Sequence, residues 1–506
     1  MTGLIQSAVL PEWWDPAHVF LALYRSSPYA FWLDAGADAE TGFSYLGAAT
    51  EGARFVTASV PDGTVTVAIA SAADPAFPAP ATTTTPETIF EFLREELAST
   101  SVQDDGDDDG AEGGDGFRLG WVGWLGYELG AQTVGTPVHD SRFPDAALLE
   151  IDRALVFDHR ARTVTALARR SPGVQTDSAG DWAREVTRTL LASPGPEPAS
   201  PAHPGASTPP GPSTPPGPST APSAGWRHDP ERYAELILRC QAAIREGDAY
   251  QLCLTNEIRV DVRPDPTLAY LTLRAGSPSH HGGLLRFGDT ALLSASPEQF
   301  LSVTRDGLIT TKPIKGTSPR GGSAARDREL RAGLESSEKE RAENLMIVDL
   351  MRNDLGRIAE LGSVTVSSLL AVESYAHVHQ LVSTVEARLA RGLSSVDAFA
   401  SCFPAGSMTG APKVSAMTIL DDLEGGPRGI YAGAFGYFGL DGAVDLAMVI
   451  RSIVLGDGGA SIGTGGGITA LSDPAAEIEE TRIKAAALLA ALGAAEGTPA
   501  TPSRRD

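Results

Sequence analysis

Four short apolar runs crowd between Leu284 and Lys312, and their spacing limits the fold more than any other feature of the chain. Leu284 to Phe287, Ala291 to Ser296, Phe300 to Thr304 and Leu308 to Lys312 are separated by three residues each, including Gly-Asp and Arg-Asp-Gly turns. A parallel pairing needs a crossover of a dozen residues or more, so runs this close pair only as antiparallel hairpins. A second meander runs from Gly429 to Ile468, punctuated by Leu-Asp-Gly and Gly-Asp-Gly-Gly. Helical patterns flank these strands in blocks. Asp327 to Leu355 reads as mostly helical, with a break at Asn353-Asp354, and Pro474 to Leu492 opens on Ser472-Asp473-Pro474 as cap and first-turn proline. Blocks of strands and helices without βαβ alternation predict an α+β fold with antiparallel sheets.

Ahead of this part lies a stretch that cannot contribute to a core. Ser193 to Gly225 holds 12 of the chain's 36 prolines, with PPGPST in tandem, and reads as a linker. It divides the 506 residues into an N-terminal β-rich unit (1–192) and a C-terminal unit (226–495), with a disordered tail at 496–506. The N-terminal unit shows short β-rich runs at Phe43-Ser44-Tyr45-Leu46, Phe55 to Val60 and Gly120 to Tyr127, with a helix at Pro86 to Leu97. Asp104 to Asp115 has seven acids and no base, so it predicts a solvated loop.

Charge narrows the partners. With 40 basic and 64 acidic residues the formal charge is −24, which repels nucleic acid and anionic membrane. An anionic substrate would then need a local cation cluster or a metal. No run approaches the roughly 18 apolar residues of a membrane span. The N-terminus lacks a basic-then-apolar export pattern. The three cysteines, Cys240, Cys253 and Cys402, suit small buried apolar positions in a reducing, cytoplasmic setting.

The C-terminal unit carries the candidate chemistry. Glu477, Glu480 and Lys484 are spaced i, i+3, i+7 and share a helix face, and Glu340 and Glu343 are again i, i+3. Two carboxylate pairs on two helices suit a hard divalent cation, although the same spacing also describes two solvated helix faces. The run Gly463-Thr464-Gly465-Gly466-Gly467, shortly before a helix cap, favours an anion approached by bare backbone. Gly406 to Lys413 resembles a nucleotide loop only loosely, because Lys413 is displaced by Ala-Pro. Lys315, in Pro313-Ile314-Lys315-Gly316-Thr317, follows a strand, where partial desolvation fits a lysine to be a nucleophile or base.

Taken together these motifs resemble the chorismate-utilising enzymes, the family of anthranilate, aminodeoxychorismate, isochorismate and salicylate synthases. The matching stretches are Ala249 to Leu252, Ser296-Pro297-Glu298, the PIKGT run, Glu343 to Leu355, Phe403 to Lys413, Arg451, the GTGGGI run and Glu477 to Lys484. The resemblance implies antiparallel sheets packed face to face with flanking helices. It also implies Mg2+ held by Glu343 and Glu480, with Glu340 and Glu477 close by through water. Chorismate would be held by Thr317, Tyr431, Arg451, Lys484 and the amides of Gly465 and Gly466. Glu298 would be the general acid for the departing hydroxyl and Lys315 a covalent nucleophile. A lysine in PIKGT marks the type that aminates chorismate at C4. Gln251, read here as substrate-binding, lies where water-using members carry a lysine base. The implied product is 4-amino-4-deoxychorismate, a precursor of p-aminobenzoate and folate or of related natural products. No G-x-C-x-G glutaminase nucleophile is present, so ammonia is expected from a separate glutaminase subunit. Anthranilate synthase component I, and an inactive partner subunit of the same fold, are the alternatives. Gln380 replaces a family histidine, which leaves the role of His379 open. Phe43-Ser44-Tyr45 and Pro278-Ser279-His280 fall where relatives hold tryptophan.

Overall fold

The computed structural model describes residues 2–70, 82–99, 101–104, 116–170, 178–193, 222, 224–375 and 377–494. The acidic loop read at 104–115 beyond its first residue, most of the linker read at 193–225, and the tail read at 496–506 lie outside them.

Two large sheets form among the described residues, one of 13 strands and one of 12. The first runs Ala224–Trp226, Gln251–Val260, Gly459–Ile468, Ser452–Gly456, Thr290–Ser296, His281–Phe287, Tyr29–Asp34, Phe43–Ala48, Arg153–Asp158, Thr163–Arg170, Thr2–Val9 and Ser101–Asp104. The second runs Ile314–Pro319, Val378–Arg388, Leu308–Thr311, Gln299–Val303, Val444–Met448, Ala434–Gly439, Gly120–Leu125, Ala146–Ile151, Arg54–Ser59, Thr64–Ile69 and Thr82–Thr85. Two further strands sit off these paths: Gly410–Ala411 pairs with Gln251–Val260, and Thr365–Ser374 with Val378–Arg388. The expected hairpins are present, and the pairing is antiparallel apart from Thr2–Val9 with Ser101–Asp104. Each sheet takes strands from both sides of the proline-rich stretch, so no sheet respects the division at 193–225.

Period-two alternation decides which side chains meet which layer. In Tyr29–Asp34, Tyr29, Phe31 and Leu33 enter the core between the sheets, whereas Ala30 and Trp32 face outward to a helix-covered core. In Gly120–Leu125, Val122 and Trp124 point inward, and Trp121 and Leu125 point to the helices on the other side. Trp124 stacks on Phe287 across the inter-sheet core, with ring centroids 5.0 Å apart. The order of layers is helices, sheet, sheet, helices, as the face-to-face expectation requires. No helix among the described residues is long and apolar enough to cross a membrane. All three cysteines are buried and free.

One helix boundary differs from the sequence reading. The helical stretch breaks at Ser337, not at Asn353-Asp354, giving helices Ala324–Ser336 and Glu338–Gly356. The Ser337 hydroxyl accepts from the Glu340 amide and so caps the second helix. Asp354 stays helical because its buried carboxylate takes the Lys413 ammonium at 2.6 Å. That pair also removes Lys413 from any nucleotide role, and it ties the Phe403 to Lys413 segment to the helix that carries Glu343.

Candidate active site

One cavity of about 730 Å³ collects most of the candidate residues. Its wall includes Glu298, Lys315, Thr317, Glu340, Glu343, Tyr431, Arg451, Gly465, Gly466, Glu477, Glu480 and Lys484, with Pro278, Ser279 and His280 on another part. In a chain of net charge −24 it also gathers Lys315, Lys339, Lys484 and Arg451, the local cation cluster an anionic substrate needs. Gln251, Phe43, Ser44 and Tyr45 are not in the wall.

Glu298 follows the strand Thr290–Ser296, and burial raises its carboxyl from the usual range to about 7, against the opposing pull of Lys315 and hydrogen bonds from Ser407 and the Ile314 backbone. A carboxyl with that environment holds its proton near neutral pH and has a hydroxyl, Ser407, to orient it. Lys315 sits on the strand Ile314–Pro319, whose pairing with Val378–Arg388 shifts register between Lys315 and Thr317. Gly316 makes that kink with φ +79, where an added Cβ would lie 2.7 Å from Leu334 and 2.9 Å from Glu340.

The four glutamates reach the cavity from two helices. Asp473 caps Pro474–Ala491 by accepting from the Ala476 amide, with Pro474 in the first turn, as the sequence predicts. Ser472 donates to Glu477 Oε1 at 2.8 Å. Burial raises the carboxyls of Glu343 and Glu477, and neighbouring glutamates add to it. Burial also pushes Glu480 up, but Lys484, then Lys339 and Lys315, outweigh it and leave the carboxyl lowered. Lys484 Nζ is 2.7 Å from Glu480 Oε1 and donates to the Gly465 carbonyl at 2.7 Å. Among the described residues no three acidic, histidine or cysteine side chains form a ready metal cage. Yet Glu343 Oε1 is buried without a hydrogen-bond partner, and its three companions are all-oxygen donors around the same space. That donor set fits Mg2+, which takes few protein oxygens and keeps water or substrate oxygens for the rest.

The glycine run lies inside the strand Gly459–Ile468, within the meander read at Gly429 to Ile468. An added Cβ would stand 2.0 Å from the Tyr431 ring at Gly463, 2.9 Å from Glu477 at Gly466 and 2.1 Å from Gln251 Nε2 at Gly467. The glycines let these three side chains lie close on the strand. Gln251 therefore packs beneath Gly467, buried, with its Oε1 unpartnered. Arg451, on a backbone with φ +51, is held in a left-handed conformation rare for arginine, and burial lowers its basicity.

The six residues in the tryptophan-matching regions separate. Ser279 and its neighbours meet the cavity, and the Ser279 hydroxyl donates to the Ser296 carbonyl. Ser44 is instead consumed in a buried polar knot: it bonds Asp34 and His159 and accepts from the Ala35 amide. Tyr45 is buried between Phe117 and Tyr437. His379 also points elsewhere, bonding Ser374 at 2.8 Å and Asp327 at 3.0 Å, while Gln380 lines the cavity. Sequence reasoning missed Ser407 and Lys339. Lys339 was findable, since it stands one helical turn before Glu343. Ser407 was not, because nothing local marks one hydroxyl in that loop as aimed at Glu298.

Comparison with known proteins agrees with this geometry. The family model described as chorismate binding enzyme matches residues 52–490. The aminodeoxychorismate synthase of Streptomyces griseus is 45% identical over 490 residues, 96% of this chain and 64% of that protein. That of Streptomyces pristinaespiralis is 42% identical over 97% of this chain and 65% of its own length. The chain thus spans just under two thirds of these relatives. Anthranilate synthase component I from Streptococcus pneumoniae superposes with a TM-score of 0.69 at 26% identity, over 95% of this chain and 98% of that one.

Proposed function

Because this chain belongs to the chorismate-binding enzyme family, we propose that it aminates chorismate at C4 to give 4-amino-4-deoxychorismate. The similarity to two aminodeoxychorismate synthases along nearly the whole chain supports this. The single observation that carries the chemistry is a carboxyl protonated up to about pH 7, Glu298, sharing one cavity with Lys315.

Arg451, Tyr431, Lys484 and the glycine strand hold the two carboxylates of chorismate. Glu343 and Glu480, with Glu340 and Glu477 through water, would hold Mg2+, which when bound neutralises and fixes the ring carboxylate. Glu298 gives its proton to the C4 hydroxyl, which leaves as water, while the Lys315 nitrogen bonds to C2 and the ring double bonds shift. Ammonia then bonds to C4, the double bonds return, and the C2–N bond to Lys315 breaks. The new C4 ammonium returns a proton to Glu298, so the net change is ammonia in and water out. Splitting one hard substitution into two displacements is what a covalent nucleophile contributes. Gln251, buried beside the cavity, offers no base to deprotonate water, which favours ammonia. The ammonia comes from a separate glutaminase subunit, the product leads toward p-aminobenzoate, and the setting is the cytoplasm.

The test is incubation of the purified chain with chorismate, Mg2+ and ammonium above pH 8, with products identified by mass spectrometry and Lys315→Ala alongside. An aminated product that keeps its enolpyruvyl group is expected, with slowed turnover in the variant. Fluorescent anthranilate with free pyruvate would place the amination at C2 and overturn the assignment.

A further inference from the structure

Two lysines form ion pairs with the glutamate cluster, and they are held in different ways. Lys484 is fixed by two hydrogen bonds of 2.7 Å, one to Glu480 and one to the Gly465 carbonyl. Lys339 makes none. Its ammonium stands 4.0 Å from Glu343 Oε1 and 3.9 Å from Glu477 Oε1, between a carboxylate from each helix. Its side chain is 55% exposed on a flexible stem that can swing into solvent. Burial works against its charge, yet Glu343, Glu477, Glu340 and Glu480 together raise its basicity.

We infer that Lys339 is a tethered competitor of the divalent cation: its ammonium and the metal seek the same glutamates, so Lys339 weakens and thereby tunes metal binding. This rests on the magnesium reading of those four residues. The physical reasons are two. Glu343 Oε1 has no hydrogen bond to lose, so the Lys339 contact is pure charge attraction and is cheap to break. Once a divalent ion is among the carboxylates, the ammonium 4 Å away is a like charge and is driven outward. Both effects disappear when the ammonium is removed. A screened, half-exposed pair of this kind corresponds to roughly a three- to tenfold change in affinity.

The experiment is titration of the full chain with Mn2+, followed by the loss of the free-ion electron paramagnetic resonance signal, with Mg2+ used to displace it. Wild type, Lys339→Met, Lys339→Arg and Glu343→Gln are compared without substrate. Lys339→Met is expected to bind about three- to tenfold more tightly. Lys339→Arg keeps the charge and should match wild type, and Glu343→Gln should bind weakly. If Glu343→Gln weakens binding but Lys339→Met leaves it unchanged or weaker, the competitor role is overturned and the metal reading stands. If wild type and Glu343→Gln bind Mn2+ alike, the metal reading fails and takes the inference with it.

Discussion

Asp34 and Glu343 are both buried carboxylates in this molecule, and they differ in everything around them. The Asp34 side chain is 1% exposed and fully used: it accepts from Tyr270, Ser44, the Gly36 amide and both Nε and Nη2 of Arg274, whose guanidinium lies over Trp32. Glu343 has a buried oxygen with no hydrogen bond, a lysine at arm's length and three more glutamates for company. The first region is a closed polar knot that fixes the fold. The second is an open cluster of acids with a buried oxygen left unpartnered. A buried acid therefore says little about function until its partners are enumerated.

The largest effect that would break this comparison is at Glu298. Glu298→Gln should lower turnover by about 10²- to 10⁴-fold, the usual worth of a general acid. The same change should stabilise the protein above neutral pH. A carboxyl whose folded pKa is raised from 4.5 to about 7 makes folding less favourable as pH rises through that window, with the full penalty above it. Removing it should add about 3 kcal/mol at pH 8 and nothing below pH 4; denaturant titrations at the two pH values measure it. Asp34→Asn should do the reverse, costing about 3–5 kcal/mol because Arg274 is left buried and uncompensated. Its kcat per folded molecule should stay within about twofold of wild type, since no candidate catalytic residue touches the knot.

Gly463→Ala is a finer test of the open region. Its Cβ would stand 2.0 Å from the Tyr431 ring, so the ring must move, and KM for chorismate should rise by roughly tenfold with a smaller change in kcat. The smallest effect expected is on the pH profile. kcat/KM at constant free ammonia should fall on the alkaline side of about 7 as Glu298 loses its proton. Ser407→Ala removes a hydrogen bond that favours the carboxylate, so the limb should move upward by less than one pH unit. A limb that stays in place would separate Ser407 from the acid.

What the sequence made legible was local. Turn spacing between Leu284 and Lys312 identified the hairpins, and i, i+3, i+7 spacing put Glu477, Glu480 and Lys484 on one face. Where local spacing was not enough, the deciding partner was distant along the chain. Ser44 is held away from the cavity by His159 and Asp34. Asn353-Asp354 stayed helical because Lys413 pairs with Asp354. The glycine run suggests an anion approached by bare backbone, and Tyr431 and Gln251, brought against it by tertiary packing, leave no room there for side chains. No window of local periodicity contains those contacts.

The weaving of the sheets carries a consequence for how such a chain is made. As synthesis proceeds, Tyr29–Asp34 emerges long before its neighbour His281–Phe287, and Gly120–Leu125 long before Ala434–Gly439. Some 250 to 310 residues of loop must close before those ladders zip, so the early strands wait with unpaired edges. High contact order of this kind slows folding and exposes nascent chains to aggregation. The helix Pro474–Ala491, which brings Glu477, Glu480 and Lys484, is delivered after all of them. The candidate cavity is thus among the last things the ribosome completes, and a translation stall or a truncation near residue 470 would yield a chain with all the described strands but without Glu477, Glu480 and Lys484.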